Sequence, residues 1–290
     1  MKNDYYNTWL SVKKKSSKHT SYFDIYQEIF DKLQLRNEIK ILEIGVSTGG
    51  SLEATARYFD KHENFKIVGL DFNPKVLDFE WDDRRIFVRV GNAELIETFK
   101  DIKKDYGEFD LIIDDGGHTN LQQLTCLLAS NELLKEEGYL IVEDTQCSYL
   151  AEFDNPSSNS FIEVCKTIID SINGRSNLIN MQDFKLNLNI KTIAFGAGYV
   201  LFNFKRNENN IVHHQVLNGV LSNGLEDYRF KSGGGSVFNY LLKSKMIIEL
   251  IKKINKYYLV HKSLKALFLF IKRNRNEENK VKNVLAQIFK

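Results

Sequence analysis

Five short apolar runs, at 39–44, 66–71, 86–90, 109–114 and 139–143, are separated by stretches each long enough for a helix. Strands joined in this way pair in parallel through right-handed crossovers, because a parallel neighbour cannot be reached by a tight turn. The runs are nearly continuous in Ile, Leu, Val and Phe rather than alternating, as strands covered on both faces are. Helical periodicity fits 23–35, 50–60, 93–104, 119–134 and 160–172. Two later runs, 191–195 and 199–204, are split only by Gly196-Ala197-Gly198, which predicts an antiparallel hairpin closing the sheet. The expected fold class is α/β, a doubly wound and mostly parallel sheet with that hairpin and a helical C-terminal extension. The expected boundaries are an N-terminal helical or lid segment over 1–35, the α/β domain over 36–206 and a basic extension over 207–290.

The net charge of +2 conceals an asymmetry: residues 240–290 carry 13 Lys/Arg against 3 Asp/Glu, and the residues before them 27 against 35. A near-neutral total excludes a whole-surface nucleic-acid binder and leaves the tail as the only candidate for a polyanion. Between 238 and 271 apolar residues recur among the lysines, so these helices suit an anionic membrane face, a second copy of the chain in a homo-oligomer, or the protein's own body. Cys126, Cys147 and Cys165 fit no zinc spacing and are odd in number, which points to a reduced, cytoplasmic setting. The start is polar, with Lys13-Lys14-Lys15 where a secretory signal would be apolar, and no apolar stretch approaches the roughly 20 residues of a spanning helix. The expected location is cytoplasmic, with the inner membrane face as a peripheral candidate.

Two of the apolar runs end abruptly in acid: 109–114 runs into Asp114-Asp115-Gly116-Gly117-His118, and 139–143 into Glu143-Asp144. As parallel neighbours about 4.8 Å apart they collect carboxylates and an imidazole at one sheet edge. Hard divalent cations prefer such oxygen ligands, and a neutral imidazole can take a proton near pH 7. Consecutive strand residues point to opposite faces, so Asp114 and Asp115 have different roles, and Gly116-Gly117 permits a turn that brings His118 back over the edge. Asp-Gly pairs are also common in plain turns and helix caps, and one such pair alone would carry no function.

The first strand runs into Ile41-Leu-Glu-Ile-Gly-Val-Ser-Thr-Gly-Gly-Ser-Leu52, where Gly45, Gly49 and Gly50 let backbone N–H groups approach a ligand at a helix N-terminus. Asp71, at the end of the second strand, is placed to accept from the two hydroxyls of a ribose. Together these indicate an adenosine-containing cofactor. The Gly-x-x-x-Gly-Gly spacing departs from the nicotinamide-dinucleotide pattern, which leaves an oxidoreductase as the disfavoured rival.

On these residues the chain resembles the class I S-adenosylmethionine-dependent methyltransferases, from about 22 to 206. Within them, Glu-Ile-Gly-x-x-x-Gly-Gly-Ser, Asp-Asp-Gly-x-His and Glu-Asp-x-x-x-Ser-Tyr are similar to a narrower group. This is the metal-dependent sugar O-methyltransferases of macrolide tailoring and bacterial surface polysaccharides, with the related cephalosporin hydroxylase-like proteins. The resemblance implies a Rossmann-like methyltransferase sheet. It implies S-adenosylmethionine held by Glu43, Gly45, Gly49, Gly50, Ser51 and Asp71, with Asn92 and Ala93 bordering the adenine where relatives usually carry Gly-Asp. It further implies Mg²⁺ or Mn²⁺ on Asp115, Glu143 and Asp144, His118 as general base, and Asp114 behind them or on the cofactor side. Tyr22 lies in a segment, Lys18–Tyr22, similar to one that covers the site in relatives, although basic and polar residues before a helix more often form plain surface; Tyr149 is a candidate wall of the acceptor pocket or a packed tyrosine. His213-His214 lacks partners at ligand spacing and is read as non-catalytic.

The implied activity is methyl transfer to a sugar hydroxyl of a glycan or glycosylated metabolite. Two other readings remain open: a metal-independent O-methyltransferase in which His118 works alone, and a non-catalytic adenosyl-binding subunit of a membrane-associated assembly complex.

Overall fold

The structure, a computed structural model, describes residues 4–175, 186–219 and 275–289. The chain divides into two units, 1–213 joined by 275–290, and 214–274. Every helix and strand of the described residues belongs to the first unit. The basic stretch 238–271 lies outside the described residues.

Seven strands, β1 Ile39–Ile44, β2 Phe65–Asp71, β3 Ile86–Val90, β4 Phe109–Asp114, β5 Leu134–Val142, β6 Ile190–Gly196 and β7 Tyr199–Phe204, form one sheet in the order β3-β2-β1-β4-β5-β7-β6. The first five are mutually parallel, and β7 runs antiparallel between β5 and β6. The helices are α1 Asp4–Leu10, α2 Phe23–Leu33, α3 Gly50–Tyr58, α4 Ile96–Tyr106, α5 Asn120–Leu133, α6 Phe161–Asn173 and α7 Arg275–Ile288. The sheet reverses direction of travel between β1 and β4, and ligands of open α/β sheets bind at the carboxyl ends beside such a switch.

Period-two geometry sorts the core into two layers. Leu42, Ile44, Ile112, Leu140 and Val142 face α5, α6 and α7; Ile39, Ile41, Leu111, Ile113 and Ile141 face α1, α2 and α3. That parity carries on past the apolar residues: Glu43, Asp115 and Glu143 continue the α1–α3 side, and Asp114 the α5 side.

Two elements differ from expectation. β5 begins at Leu134, directly off α5, with a register shift against β4 between Phe109 and Leu111. Its first residues, Lys135-Glu136-Glu137, carry no apolar signal. α4 starts at Ile96 because Asn92 closes a turn first, its side chain accepting from the Glu94 amide and its carbonyl from the Thr98 hydroxyl, each at 2.9 Å. At the chain's end, Val281, Val284 and Ile288 recur at helical spacing and are buried in the α5-side layer, so α7 belongs to the sheet's own unit. No helix of the described residues is long and apolar enough to cross a membrane.

Candidate active site

The strand ends carry two different acidic groups. On the α1–α3 face stand Glu43, Asp115 and Glu143, with the ammonium of Lys18 among them: it donates to Glu143 Oε1 at 2.7 Å and to Asp115 Oδ2 at 2.9 Å, and its side chain is fully buried. Tyr26 donates a short hydrogen bond to Glu143 while its ring lies 5.3 Å from the same ammonium. Burial alone would lower the Lys18 pKa, but the facing Glu143, Tyr26 and Asp115 outweigh it and hold the lysine charged, well above its usual range. Burial pushes the Glu143 carboxyl up to about 8 against the pull of Lys18, and Glu43 up to about 7. Neither oxygen of Glu43 has a well-formed hydrogen bond.

The second group is open. Asp144 takes a left-handed backbone (φ 51°) that turns it out of the strand row. Its Oδ1 accepts from Tyr22 at 2.7 Å and Gln146 at 3.0 Å, and its Oδ2 lies 3.2 Å from His118 Nε2. Burial would raise the Asp144 carboxyl, but the Tyr22 and Gln146 donors and the nearby His118 and His19 overcome it and hold Asp144 below its ordinary range. His118 is itself left-handed (φ 56°). The turn works differently from the expectation: the glycines supply room rather than an unusual φ, since a Cβ on Gly117 would lie 2.5 Å from Gln122 Oε1. Two non-glycine residues held left-handed side by side are the kind of strain that surrounding structure maintains at functional sites. Single ligand atoms of Asp115, His118 and Asp144 all lie within 4.8 Å of one another, so these three could hold a cation. Glu143, grouped with Asp115 and Asp144 by resemblance, is turned instead to Lys18 and Tyr26.

At the cofactor end, Gly45 (φ 93°) lets β1 end hard against β4, because a Cβ there would lie 2.1 Å from the Asp115 carbonyl. Asp71 ties β2 to the glycine loop, Oδ2 accepting from the amides of Val46 (2.8 Å) and Ser47 (3.1 Å) and Oδ1 from Asn73 (2.8 Å). Oδ1 still has capacity for one hydroxyl donor, whereas the two amides fill Oδ2. Gly49 and Gly50, expected to admit a ligand, are approached by the chain itself: a Cβ would meet Trp81 at 2.5 Å and the Lys14 carbonyl at 2.4 Å. Ser51, in the first turn of α3, has a buried hydroxyl that faces Glu43 without a well-formed hydrogen bond. Ala93 is packed in the core and Asn92 is used in its turn. Asp114 is buried facing the Cys126 thiol and the Gly116 amide, its carboxyl pushed by burial to about 7. A cleft of about 390 Å³ beside Asp144 is lined by Gln146, Tyr149, Lys166, Phe195 and Gly198, and Tyr149 is 59% exposed there.

Lys18 was read only as part of a covering segment, with no role of its own, and Tyr26 and Phe72 were not singled out by sequence. Phe72, directly after Asp71, is 73% exposed, and its position beside a ribose-type acid was the available signal. Nothing in the sequence marks a lysine that will be buried.

The strand order and glycine-loop end define a class I methyltransferase fold. Residues 42–145 match the methyltransferase domain family. L-olivosyl-oleandolide 3-O-methyltransferase of Streptomyces antibioticus is 30% identical over 152 residues, 46% of this chain and 36% of that protein. Mycinamicin VI 2''-O-methyltransferase of Micromonospora griseorubida is 29% identical over 147 residues, 47% and 35% of the two chains. Among solved structures, the MycE methyltransferase in complex with Mg, SAH and mycinamycin VI superposes with a TM-score of 0.57 at 22% identity, over 71% of this chain and 55% of that one. The chain spans little more than a third of the curated relatives' length. Residues 42–145 thus match a methyltransferase domain set in a class I methyltransferase fold, and about half of the chain is similar to macrolide sugar O-methyltransferases.

Proposed function

We propose that this chain transfers a methyl group from S-adenosylmethionine to a sugar hydroxyl, on a surface glycan or a glycosylated metabolite, with the aid of a divalent cation. The observation that carries the reading is the convergence of Asp115, His118 and Asp144 at neighbouring strand ends beside a glycine loop. The relatives named above methylate sugars on natural products, which supports the hydroxyl of a sugar as acceptor.

The residues fit both groups. Glu43 presents a buried carboxylate without a well-formed hydrogen bond at the loop, suited to a cationic amine, and Asp71 Oδ1 has acceptor capacity for a ribose hydroxyl. Asp115 and Asp144 offer hard oxygen ligands, with Glu143 as a third once freed from Lys18. A bound divalent cation would lower the pKa of the acceptor hydroxyl, and S-adenosylmethionine brings an already activated methyl. His118 accepts the hydroxyl proton, and Asp144, whose Oδ2 lies 3.2 Å from His118 Nε2, stabilises the imidazolium that forms. The cleft beside Asp144, with Tyr149 on its wall, receives the acceptor. The protein's part is orientation and proton removal.

A second reading is a metal-independent reaction. Its support is that Lys18 already places a cation between Asp115 and Glu143.

Calorimetry with S-adenosylmethionine and S-adenosylhomocysteine, with and without Mg²⁺, tests the assignment. Binding in the range of roughly 1 μM to 1 mM is expected, and absence of binding for both nucleosides would sink it. Turnover on an identified acceptor that survives EDTA and Asp115→Ala would select the metal-independent reading.

A further inference from the structure

We propose that Lys18 is a tethered cation standing in for the divalent ion, so that ion binding and docking of the N-terminal strap exclude one another. The inference rests on the reading that the acid edge takes such an ion.

Asp115 belongs to both arrangements. Its Oδ2 accepts from Lys18 at 2.9 Å, and it is one of the three groups whose ligand atoms lie within 4.8 Å. The side chain of Lys18 is 0% exposed, so its charge is screened by protein rather than water. A dication sharing Asp115 would face that ammonium at close range and draw on the same carboxylate. Glu143, the strongest partner of Lys18, is also the acid that a dication would gain as a third oxygen ligand when the lysine leaves. Exchange of one cation for the other leaves the row of acids compensated in both states.

Lys18 lies near the end of a strap over 11–19 that is neither strand nor helix. Its anchors are a few side chains of the body. The amides of Lys13 and Lys14 donate to the Glu53 carboxylate at 3.3 and 3.1 Å, the Thr48 hydroxyl donates to the Lys15 carbonyl, and the Lys14 ammonium lies 5.1 Å from the Trp81 ring. The strap lies directly on Gly49 and Gly50, where a Cβ on Gly50 would strike the Lys14 carbonyl. Withdrawal of Lys18 would free the end of the strap that follows this cover, and ion binding would leave the contacts of Lys13, Lys14 and Lys15 alone to hold it over the loop proposed to take S-adenosylmethionine.

The test uses Mn²⁺ alone on the full chain. Electron paramagnetic resonance titration should show Lys18→Met, similar in length and uncharged, binding Mn²⁺ on the order of tenfold or more tighter than the unaltered protein. In the unaltered protein, saturating Mn²⁺ should speed amide hydrogen exchange across 11–19. This measurement decides alone if Lys18→Met does not fold. Equal or weaker Mn²⁺ affinity in Lys18→Met, or exchange in the strap that is unchanged or slowed by Mn²⁺, overturns the exchange while leaving the metal-assisted reading in place. Mn²⁺ binding to neither protein removes both.

Discussion

The two acidic groups at the carboxyl edge of the sheet differ in how their charge is met. Glu43, Asp115 and Glu143 are met from inside, by Lys18 and Tyr26, in a layer where Glu43 and Glu143 are almost wholly buried. Asp144 and His118 meet each other at the rim, with Tyr22 and Gln146 as hydrogen-bond donors and partial access to solvent. The buried row is built so that its carboxylates keep a fixed place without water. The rim group is built so that a proton or an ion can come and go. Asp115 belongs to both, paired with Lys18 and within 4.8 Å of the rim's ligand atoms, which makes it the hinge between a structural charge cluster and a chemical one.

Breaking the rim gives the largest expected effect. His118→Ala should lower kcat on an identified acceptor by about 10²–10⁴-fold, the usual contribution of a positioned base, while S-adenosylmethionine affinity measured by calorimetry stays near that of the unaltered protein. Thermal stability should change little, because the one ion-pair partner lost, Asp144, keeps its donors Tyr22 and Gln146. A rate loss under fivefold would remove His118 from the chemistry and leave the rim as a second structural cluster.

Asp114 gives a contrast on the other face, buried without a cation. Its carboxyl is raised from 3.8 to about 7, with burial the main cause. A raised carboxyl favours the folded state fully below its unfolded pKa, and that contribution is lost as pH rises through the folded value, here between about 4 and 7. Asp114→Asn keeps the shape and removes the titration. In EDTA at pH 8 it should be more stable than the unaltered protein by about 2–4 kcal/mol by urea denaturation, with the difference vanishing near pH 4. A destabilised Asp114→Asn at pH 8 would mean that the carboxylate has a charged role after all.

The sheet was legible because its signals are local and redundant: apolar runs of strand length, helix-length spacers, and Gly196-Ala197-Gly198 between the hairpin strands. Parity made Asp114 and Asp115 distinguishable in the sequence, and they occupy opposite faces. The same parity applied to Glu143 and Asp144 separates them as well, whereas family resemblance groups them. The left-handed turn at Asp144 adds a direction that a strand pattern does not contain. Lys18 was illegible for a different reason. Lysines are rarely buried unless paired, and its partners lie 97 and 125 residues away. Only the tertiary fold brings them together. The glycines at 49 and 50 were read by their permissiveness, which says that something approaches closely but not whether it is a ligand or the chain.

The smallest expected effect tests the internal side of the comparison. Tyr26→Phe retains the ring beside the Lys18 ammonium, 5.3 Å from the centroid, and deletes only the hydroxyl that donates to Glu143. If the buried row is held by paired donors, one lost hydrogen bond to a buried carboxyl should reduce stability by about 1–2 kcal/mol. Glu143 titrates near 8, raised chiefly by burial. Its protonated form therefore adds stability below about pH 4.5, and that contribution is lost as pH rises through 8. The Tyr26 hydroxyl favours the ionised form, so its removal should raise the Glu143 pKa further and make the deficit larger at pH 9 than at pH 6. Urea denaturation in EDTA at both values reads this directly. An equal deficit at the two pH values would mean that Tyr26 serves packing alone, and that Lys18 by itself compensates the row.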